Sequence, residues 1–215
     1  MFARIAHRYD LLNRVLSLGR DIRWRRHAIR RVAAERPRLL LDVCTGTGDL
    51  ALATPPSVRV AACDFCLPML VAARRKAAGR PLALFAADAL QLPLPEGCVD
   101  AVTVAFGVRN FADLEAGLAE LVRVLRPGGL LLVLEFSRPD GPFGPMLRWW
   151  GRTVPPRVGR WISGDPEAYR YLPATIDGFP NTGEMRGVLA ATGLDRVRAR
   201  RLTGGVATLY EGYAR

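Results

Sequence analysis

The sequence has almost no lysine and little histidine or cysteine. Lys76 is its only lysine, so arginine supplies the rest of the 31 basic residues, and His7 and His27 are its only histidines. Its 4 cysteines include one closely spaced pair, Cys63-x-x-Cys66, but no second pair that would complete a zinc finger. We therefore predict no metal site, and we interpret the cysteines as small buried thiols.

The sequence also lacks a long apolar stretch. No run approaches the roughly 18 apolar residues that cross a bilayer, and the amino terminus has no apolar core of the kind found in signal peptides. We therefore expect a cytoplasmic protein. With 215 residues, 50% of them hydrophobic, the chain can bury one good core, so we expect a single domain.

Positive charge is concentrated near the amino terminus. The net charge is +11, and residues 1–38 contribute +8 of it, with eleven arginines against Asp10, Asp21 and Glu35. Such a surface suits solvent, anionic phospholipid or nucleic acid. Because arginine replaces lysine throughout the chain, we interpret the charge first as a solvated surface, then as a membrane surface, and last as a nucleic-acid surface.

Hydrophobic periodicity predicts an α/β fold. Residues 8–34 have helical spacing interrupted near Gly19, which predicts two amphipathic helices. Repeated β-α-β units then predict a parallel sheet with helices on both faces, and Gly204-Gly205 predicts a hairpin that gives the sheet an antiparallel edge. The residues 126–129, Arg-Pro-Gly-Gly, predict a turn between a helix and a strand. We predict strands at 38–43, 58–63, 82–86, 99–105, 129–135, 194–202 and 205–213, and helices at 49–54, 66–78, 113–125 and near 182–192.

The segment 39–50 predicts a nucleoside site. It has the pattern of a buried strand that enters a glycine turn and then a helix, which is how an open α/β sheet binds nucleotides. Gly46 and Gly48 let a ligand approach main-chain N–H groups. A dinucleotide site needs a third glycine for the pyrophosphate, whereas acidic Asp49 stands in the first helical turn here. An ordinary strand, turn and helix without a ligand is the alternative that this segment alone leaves open.

Carboxylates recur at the ends of successive predicted strands. Asp42 ends the first strand, Asp64 the second, and Asp88 with Ala89 follows the third. These groups suit a ligand with a positive sulfonium, an ammonium and two ribose hydroxyls, with Asp88 and the next N–H positioned for an adenine edge. The pattern favours S-adenosylmethionine as cofactor, and a methyltransferase over a dehydrogenase.

Six blocks along the chain carry a more specific signal. They are Arg8-Tyr9-Asp10-Leu11-Leu12-Asn13, Leu41-Asp42-Val43-x-Thr45-Gly46-Thr47-Gly48-Asp49, Ala105-Phe106-Gly107-Val108-Arg109-Asn110, Arg123-Val124-Leu125-Arg126-Pro127-Gly128-Gly129, Leu134-Glu135-Phe136-Ser137 and Tyr169-Arg170-Tyr171-Leu172. Together they resemble the ubiquinone/menaquinone biosynthesis C-methyltransferases over nearly the whole chain. The glycine turn and the Pro-Gly-Gly are common to many class I methyltransferases, whereas the Phe-Gly-x-Arg-Asn and Leu-Glu-Phe-Ser blocks are far more specific.

The resemblance implies a fold and an activity. The fold would be that of a class I S-adenosylmethionine-dependent methyltransferase, Rossmann-like, with a mostly parallel seven-stranded sheet and an antiparallel C-terminal edge strand. The reaction would be C-methylation of a prenylated quinol ring, most directly demethylmenaquinol in menaquinone biosynthesis, or alternatively the benzoquinol precursor of ubiquinone. The segments would be a helical substrate and lid segment at 1–35, the cofactor-binding core at 38–135, a substrate-side insert at 136–192 and the C-terminal hairpin at 193–215.

The resemblance also implies a set of cofactor residues. Contacts would fall on Thr47, Asp64, Asp88 and Ala89, with Gly46, Gly48 and Ala105 shaping the pocket. Two features depart from the family: Thr175 stands where serine is common, and the chain starts almost at the Arg8 block, without the short leader of many members. The second departure leaves open whether the lid over the substrate is complete.

Three residues are our candidates for the chemistry. Arg109 would stabilise a developing phenolate, while Asn110 and Tyr9 would orient a bridging water or the ring oxygen. The alternative for Arg109 is a scaffold ion pair with Asp100 or Asp113.

The segment 146–162 sets three tryptophans among arginines, which suits a lipid–water interface through which a prenyl tail enters. Packing of these tryptophans as a lid over the sheet is the alternative. We expect a prenylated quinol as substrate, peripheral contact with the inner face of the membrane, and no nucleic-acid partner, because Ala105-Phe106-Gly107 replaces the motifs of nucleic-acid methyltransferases. An RNA or other small-molecule methyltransferase and a non-catalytic adenosyl-binding subunit are the alternatives from other classes.

Overall fold

The computed structural model describes residues 10, 13–14, 17–139, 144–146, 153 and 175–215. The strands there are β1 (Leu39–Val43), β2 (Arg59–Asp64), β3 (Ala83–Ala86), β4 (Val99–Ala105), β5 (Leu125–Phe136), β6 (Leu194–Leu202) and β7 (Ala207–Ala214). They form one seven-stranded sheet in the order β3-β2-β1-β4-β5-β7-β6. Strands β1 to β5 pair in parallel, and β7 lies antiparallel between β5 and β6. The predicted parallel sheet with an antiparallel hairpin at its edge is confirmed.

Strand β5 starts earlier than the sequence predicted. We expected a turn at residues 126–129 and a strand from residue 129, but the strand begins at Leu125, which is already paired with Val99. The next pair along, Ala101 with Leu130, skips several residues of β5, so the Pro-Gly-Gly bulges out of the strand. Gly128 makes this bulge with a φ of 73°.

The helices cover both faces of the sheet. They are α1 (Arg20–Ala34), α2 (Asp49–Ala53), α3 (Leu67–Lys76), α4 (Leu114–Arg123) and α5 (Thr182–Ala191). One buried cluster joins α4 and α5 to Leu131 and Val133 of β5, and a second joins α1 and α2 to Leu130 and Leu132 of the same strand. This alternation follows from the period of two in a strand, and it explains why residues 130–134 of β5 are all apolar.

Helix α1 begins and ends where the sequence predicted the second amphipathic helix. Gly19 is its N-cap residue and adopts a φ of 71°, which interrupts the helical spacing at that point. Trp24, Ala28 and Val32 recur on one side of α1 and are buried against the sheet. The first predicted helix lies mostly outside the described residues. In the part of the chain that is described, no helix combines the length and apolar character needed to span a membrane.

Candidate functional site

A cavity of about 310 Å³ lies at the carboxyl ends of β1, β2, β3 and β4. Parallel strands bring their carboxyl ends to one edge of the sheet, where open α/β folds bind their ligands. The cavity is lined by Val43, Cys44, Gly46, Asp64, Phe65, Cys66, Met69, Ala87, Asp88, Ala89, Leu90, Ala105, Phe106, Gly107, Asn110, Phe111 and Ala112.

The glycine turn after β1 is fastened to the end of β2. The backbone N–H of Thr45 donates to the carbonyl oxygen of Cys63 over 2.9 Å, and the N–H of Gly46 donates to Asp64 Oδ2 over 2.8 Å. Gly48 has a φ of 82°, and a Cβ there would lie 3.3 Å from the Cβ of Ala73 on α3. Glycine is therefore required at this position for its conformation, and the lack of a side chain lets α3 pack closely.

Asp64 is the carboxylate that faces the cavity from β2. Its two oxygens accept backbone hydrogen bonds, Oδ2 from Gly46 and Oδ1 from Cys66, each over 2.8 Å. Burial raises the pKa of Asp64 above its ordinary value, although these two hydrogen bonds act in the opposite direction. Each oxygen keeps a second acceptor position for a ligand hydroxyl.

Asp42 does not line the cavity; it supports the glycine turn from inside the sheet. The sequence predicted it as a cofactor residue, but its side chain is buried, is not among the residues that line the cavity, and accepts hydrogen bonds from Thr45 Oγ1 and Thr103 Oγ1, each over 2.7 Å. Burial raises its pKa to about 6. Asp42 therefore joins the glycine turn to the neighbouring strand β4, because Thr103 belongs to that strand.

Thr47 and Asp49 connect the glycine turn to Asp10 and Lys76. The hydroxyl of Thr47 donates to Asp10 Oδ1 over 2.5 Å, and Lys76 of α3 pairs with both Asp10 and Asp49. Burial raises the pKa of Asp10, but hydrogen bonds from Lys76 and Thr47 outweigh burial and leave that pKa below its ordinary value. The only lysine of the chain thus joins Asp10 to Asp49 beside the turn. Neither Thr47 nor Gly48, both predicted cofactor residues, lines the cavity itself.

The ends of β3 and β4 supply the opposite wall. Asp88 is exposed, and its Oδ1 accepts the N–H of Leu90 over 2.9 Å, while Ala89 beside it is buried. At the end of β4, Ala105 lines the cavity and Phe106 adopts a φ of 61°. A bulky residue in this region is strained, and such strain is characteristic of functional sites.

Gly107 allows β1 and β4 to approach each other. A Cβ at Gly107 would lie 2.5 Å from the Cβ of Cys44 and 2.9 Å from its sulfur atom. Cys44 itself has a φ of 53°, so the backbone is left-handed at the ends of two adjacent strands. Burial raises the pKa of the Cys44 thiol well above its ordinary value, which keeps the thiol protonated and weakly nucleophilic.

Arg109 is an internal structural group in this arrangement. Its Nη1 donates to Glu135 Oε1 over 2.7 Å and to the carbonyl oxygen of Phe106 over 2.6 Å. Arg109 therefore does form a scaffold ion pair, as the alternative interpretation held, but its partner is Glu135 and not Asp100 or Asp113. Asp100 instead pairs with Arg126 and caps β1, and Asp113 caps α4. Arg109 is not among the residues that line the cavity, whereas the neighbouring Asn110 is.

An aromatic cluster lies behind Phe106. The rings of Phe106 and Phe136 are 4.5 Å apart, and Trp24 of α1 approaches both. The guanidinium of Arg25 lies 5.3 Å from the Phe106 ring centre, and that of Arg109 lies 5.4 Å from the Phe136 ring centre. Two cations thus lie against one aromatic pair, next to the wall of the cavity.

The structure brings six of the predicted site residues to the cavity wall. These are Gly46, Asp64, Asp88, Ala89, Ala105 and Asn110. Tyr9, the third predicted catalytic residue, lies outside the described residues, as do His7 and the three tryptophans of the predicted interface segment.

The apolar part of the cavity lining was not predicted from the sequence. Phe65 and Met69 were not predicted, although Phe65 directly follows the strand-end carboxylate and Met69 comes one helical turn later. An apolar residue directly after the acid and a second one four positions later would have indicated this lining.

The comparison with protein families agrees with this geometry. The model of the ubiE/COQ5 methyltransferase family matches residues 1–214. The chain belongs to the ubiE/COQ5 methyltransferase family. It is therefore a methyltransferase, as the six sequence blocks predicted.

Individual members of the family are close in sequence. The demethylmenaquinone methyltransferase of Thermus thermophilus is 50% identical over 218 residues, which cover 99% of both chains. The ubiquinone/menaquinone biosynthesis C-methyltransferase UbiE of Syntrophotalea carbinolica is 47% identical over 219 residues, covering 99% of this chain and 92% of that protein.

Solved structures agree on the fold. A SAM-dependent methyltransferase from Aquifex aeolicus superposes with a TM-score of 0.59, covering 83% of this ubiE/COQ5 family chain and 82% of its own, at 21% sequence identity. The fold is thus the Rossmann-like class I methyltransferase fold that the sequence predicted.

Proposed function

We propose that this chain transfers the methyl group of S-adenosylmethionine to a ring carbon of a prenylated quinol. The observation that carries the proposal is the cavity at the carboxyl edge of the sheet, bounded by Asp64 on one side and Asn110 on another, in a member of the ubiE/COQ5 family. Demethylmenaquinol is the first candidate substrate, because of the name of the Thermus thermophilus relative. The benzoquinol precursor of ubiquinone is the second, because of the name of the Syntrophotalea carbinolica relative.

The residues of the cavity fit S-adenosylmethionine. Asp64 has one free acceptor position on each oxygen for the two ribose hydroxyls. Phe65 and Met69 offer apolar surface to the adenine ring, and Asp88 with Ala89 stands where the adenine edge would be bonded. When bound, the cofactor supplies an electrophilic methyl group on a sulfonium.

Positioning is the main task left to the protein. Holding an electron-rich ring carbon in line with the methyl group is worth roughly 7 to 11 kcal/mol. Arg109 contributes through the backbone: its bonds to Glu135 and to the carbonyl of Phe106 fix the Phe106-Gly107 wall. We therefore assign Arg109 as a positioning residue, in place of the direct phenolate contact that the sequence predicted.

Asn110 is the polar group best situated to act on the substrate. It lines the cavity directly after the fixed Phe106-Gly107 wall, so it can orient the ring oxygen or a water that accepts the hydroxyl proton. Loss of that proton raises electron density at the neighbouring ring carbon, which is why the quinol must be in its reduced form. Once methylated, that carbon would release its own hydrogen as a proton, which restores the aromatic ring. Tyr9 remains a second candidate for the same role.

A transfer assay tests the proposal. Purified protein is incubated with S-adenosylmethionine carrying an isotope-labelled methyl group and, separately, with reduced demethylmenaquinol, reduced demethylated benzoquinol and RNA. We expect label on the ring carbon of the reduced naphthoquinol, and none when the same quinone is kept oxidised. Label in RNA, or none in either quinol, would overturn the proposal.

The location of the substrate suggests the location of the enzyme. A prenylated quinol partitions into the bilayer because each buried methylene contributes about 0.8 kcal/mol. We therefore propose a cytoplasmic protein that works at the inner face of the membrane.

A further inference from the structure

One side of the molecule is an arginine-rich surface formed by α1 and β6. Arg23, Arg26 and Arg30 are exposed along α1, and Arg198 and Arg200 are exposed on β6. We call this surface the basic face; its members are Arg23, Arg26, Arg30, Arg31, Arg196, Arg198 and Arg200.

Contacts between α1 and the hairpin make the basic face continuous. Arg200 Nη1 lies 2.7 Å from His27 Nε2, which joins the middle of α1 to β6. At the other end, Arg31 and Arg196 both lie against the ring of Tyr213. The side chains of β6 alternate, so Val197 and Ala199 pack against the core while Arg198 and Arg200 face the side of α1.

Few carboxylates oppose these arginines. Glu35 and Glu211 lie within the face, and both pair with Arg31. Within the described ranges, no carboxylate forms an ion pair with Arg23, Arg26 or Arg30. His27 accepts a hydrogen bond from a guanidinium, and burial with the charges of Arg200 and Arg30 lowers its pKa, so it adds no charge near neutral pH. The basic face therefore carries a strong uncompensated positive field.

The basic face has an apolar tip at the end of the molecule that holds the cavity. Trp24 Nε1 donates to Thr203 Oγ1 in the β6–β7 connection, and its ring approaches Phe106 beside the cavity. The amino end of α1 thus lies at the carboxyl edge of the sheet. There Leu18, in the turn just before α1, is 67% exposed, and Ile22, in the first turn of α1, is 37% exposed.

We propose that the basic face and its apolar tip seat the enzyme on an anionic phospholipid surface. Arginine side chains attract anionic headgroups, and two exposed aliphatic side chains at one end add shallow insertion into the bilayer. A basic face with an apolar tip suits a membrane better than a nucleic acid, whose phosphates would gain nothing from Leu18 and Ile22. The choice of a membrane among polyanions also rests on the proposed function, because a prenylated substrate is delivered from a bilayer.

Vesicle binding by the full chain tests the inference. The probes are phosphatidylcholine vesicles with and without phosphatidylglycerol, followed by flotation at low and high salt. We expect binding only to the anionic vesicles, weakening with salt as screening shortens to a Debye length of about 10 Å at 0.1 M. The variant Arg23→Gln, Arg26→Gln, Arg30→Gln should bind about a hundredfold more weakly, because each lost cation weakens attraction to the headgroups severalfold.

A matched variant distinguishes the effect of the basic face from the effect of the net charge of the protein. Arg59→Gln, Arg74→Gln, Arg75→Gln removes three exposed arginines elsewhere and should bind like the wild type. Equal loss in both variants, no binding to anionic vesicles, or a selective loss of RNA binding by the first variant would overturn the inference. Both variants should methylate a detergent-dispersed quinol at the wild-type rate. If no protein methylates a quinol but vesicle binding still depends on the basic face, the proposed function fails and the inference stands.

Discussion

The guanidinium of Arg109 and the carboxylate of Glu135 form an ion pair inside the protein, with Nη1 and Oε1 2.7 Å apart. Glu135 is fully buried, and its carboxylate also accepts the backbone N–H groups of Arg109 and Phe136. This relationship links the specific Phe-Gly-x-Arg-Asn block, which directly follows β4, to the Leu-Glu-Phe-Ser block at the end of the neighbouring strand β5. Because Arg109 also donates to the carbonyl of Phe106, the pair holds the wall of the cavity in its left-handed conformation.

Breaking this pair on one side should be costly. Arg109→Met leaves a buried carboxylate without its cation, and we expect it to lower the free energy of unfolding by about 3 to 5 kcal/mol. The double variant Arg109→Met, Glu135→Gln should be more stable than Arg109→Met, since the uncompensated charge is gone. Chemical denaturation of the four proteins in the cycle measures the coupling. If the losses of unfolding free energy in the two single variants add up in the double variant, the two residues do not stabilise the protein through their ion pair.

The contact between Gly107 and Cys44 predicts a rescue. Gly107→Ala places a methyl group against Cys44 and should destabilise the protein by about 1 to 3 kcal/mol, as overpacking does. Adding Cys44→Gly removes the two shortest contacts and relieves the positive φ of that position, so it should restore part of the loss, while the contact with Val104 Cγ1 at 3.0 Å remains. Gly187→Ala on α5 is the control, because nothing lies within 4 Å of its Cβ position. A Gly107→Ala variant as stable as this control would show that the approach of the two strands is not tight.

Asp42 should make the protein less stable as the pH rises. Its pKa is about 6 in the folded chain against an ordinary value of 3.8, so the folded state holds the proton more tightly. Stability from this group is fully present below pH 3.8 and is lost as the pH passes through 6, by about 3 kcal/mol for a shift of this size. Asp42→Asn has no such titration and still bonds Thr45 and Thr103. The difference in unfolding free energy between wild type and variant should therefore change between pH 4 and pH 7; a constant difference would refute the assignment.

Asn110 should affect turnover more than cofactor binding. Removing one polar group that orients the reacting oxygen costs roughly a hundredfold to a thousandfold in rate. We therefore expect Asn110→Ala to lower kcat for the reduced quinol while the dissociation constant of S-adenosylmethionine changes little, measured by calorimetry on the same preparation. Exposed Gln91→Ala is the control. Unchanged kcat in Asn110→Ala would remove this residue from the mechanism.

Much of the fold could be predicted from local pattern. Continuous apolar runs gave the parallel strands, and the glycine pair at 204–205 gave the hairpin, because these signals depend only on neighbours in sequence. The start of β5 was missed since a Pro-Gly-Gly is normally a turn, and only pairing of Leu125 with Val99 across the sheet keeps it within the strand.

The site was predicted less completely, because its roles are set by distant contacts. The carboxylates at the strand ends were recognisable. The sequence does not indicate, however, that Asp42 is buried and hydrogen-bonded to two threonine hydroxyls, whereas Asp64 faces the cavity. The partner of Arg109 was equally hidden, since Glu135 lies 26 residues further along the chain and meets Arg109 only through the pairing of β4 with β5.

Calorimetry of S-adenosylmethionine binding to the wild type and to Asp64→Asn tests the proposed cofactor site most directly. An asparagine amide at this position would face a backbone N–H and lose an acceptor for a ribose hydroxyl. We expect the wild type to bind, Asp64→Asn to bind about tenfold to a hundredfold more weakly, and the exposed control Glu115→Gln to match the wild type. Absence of heat with the wild type, or equal affinity in Asp64→Asn, would contradict a cofactor site at the carboxyl edge of this sheet.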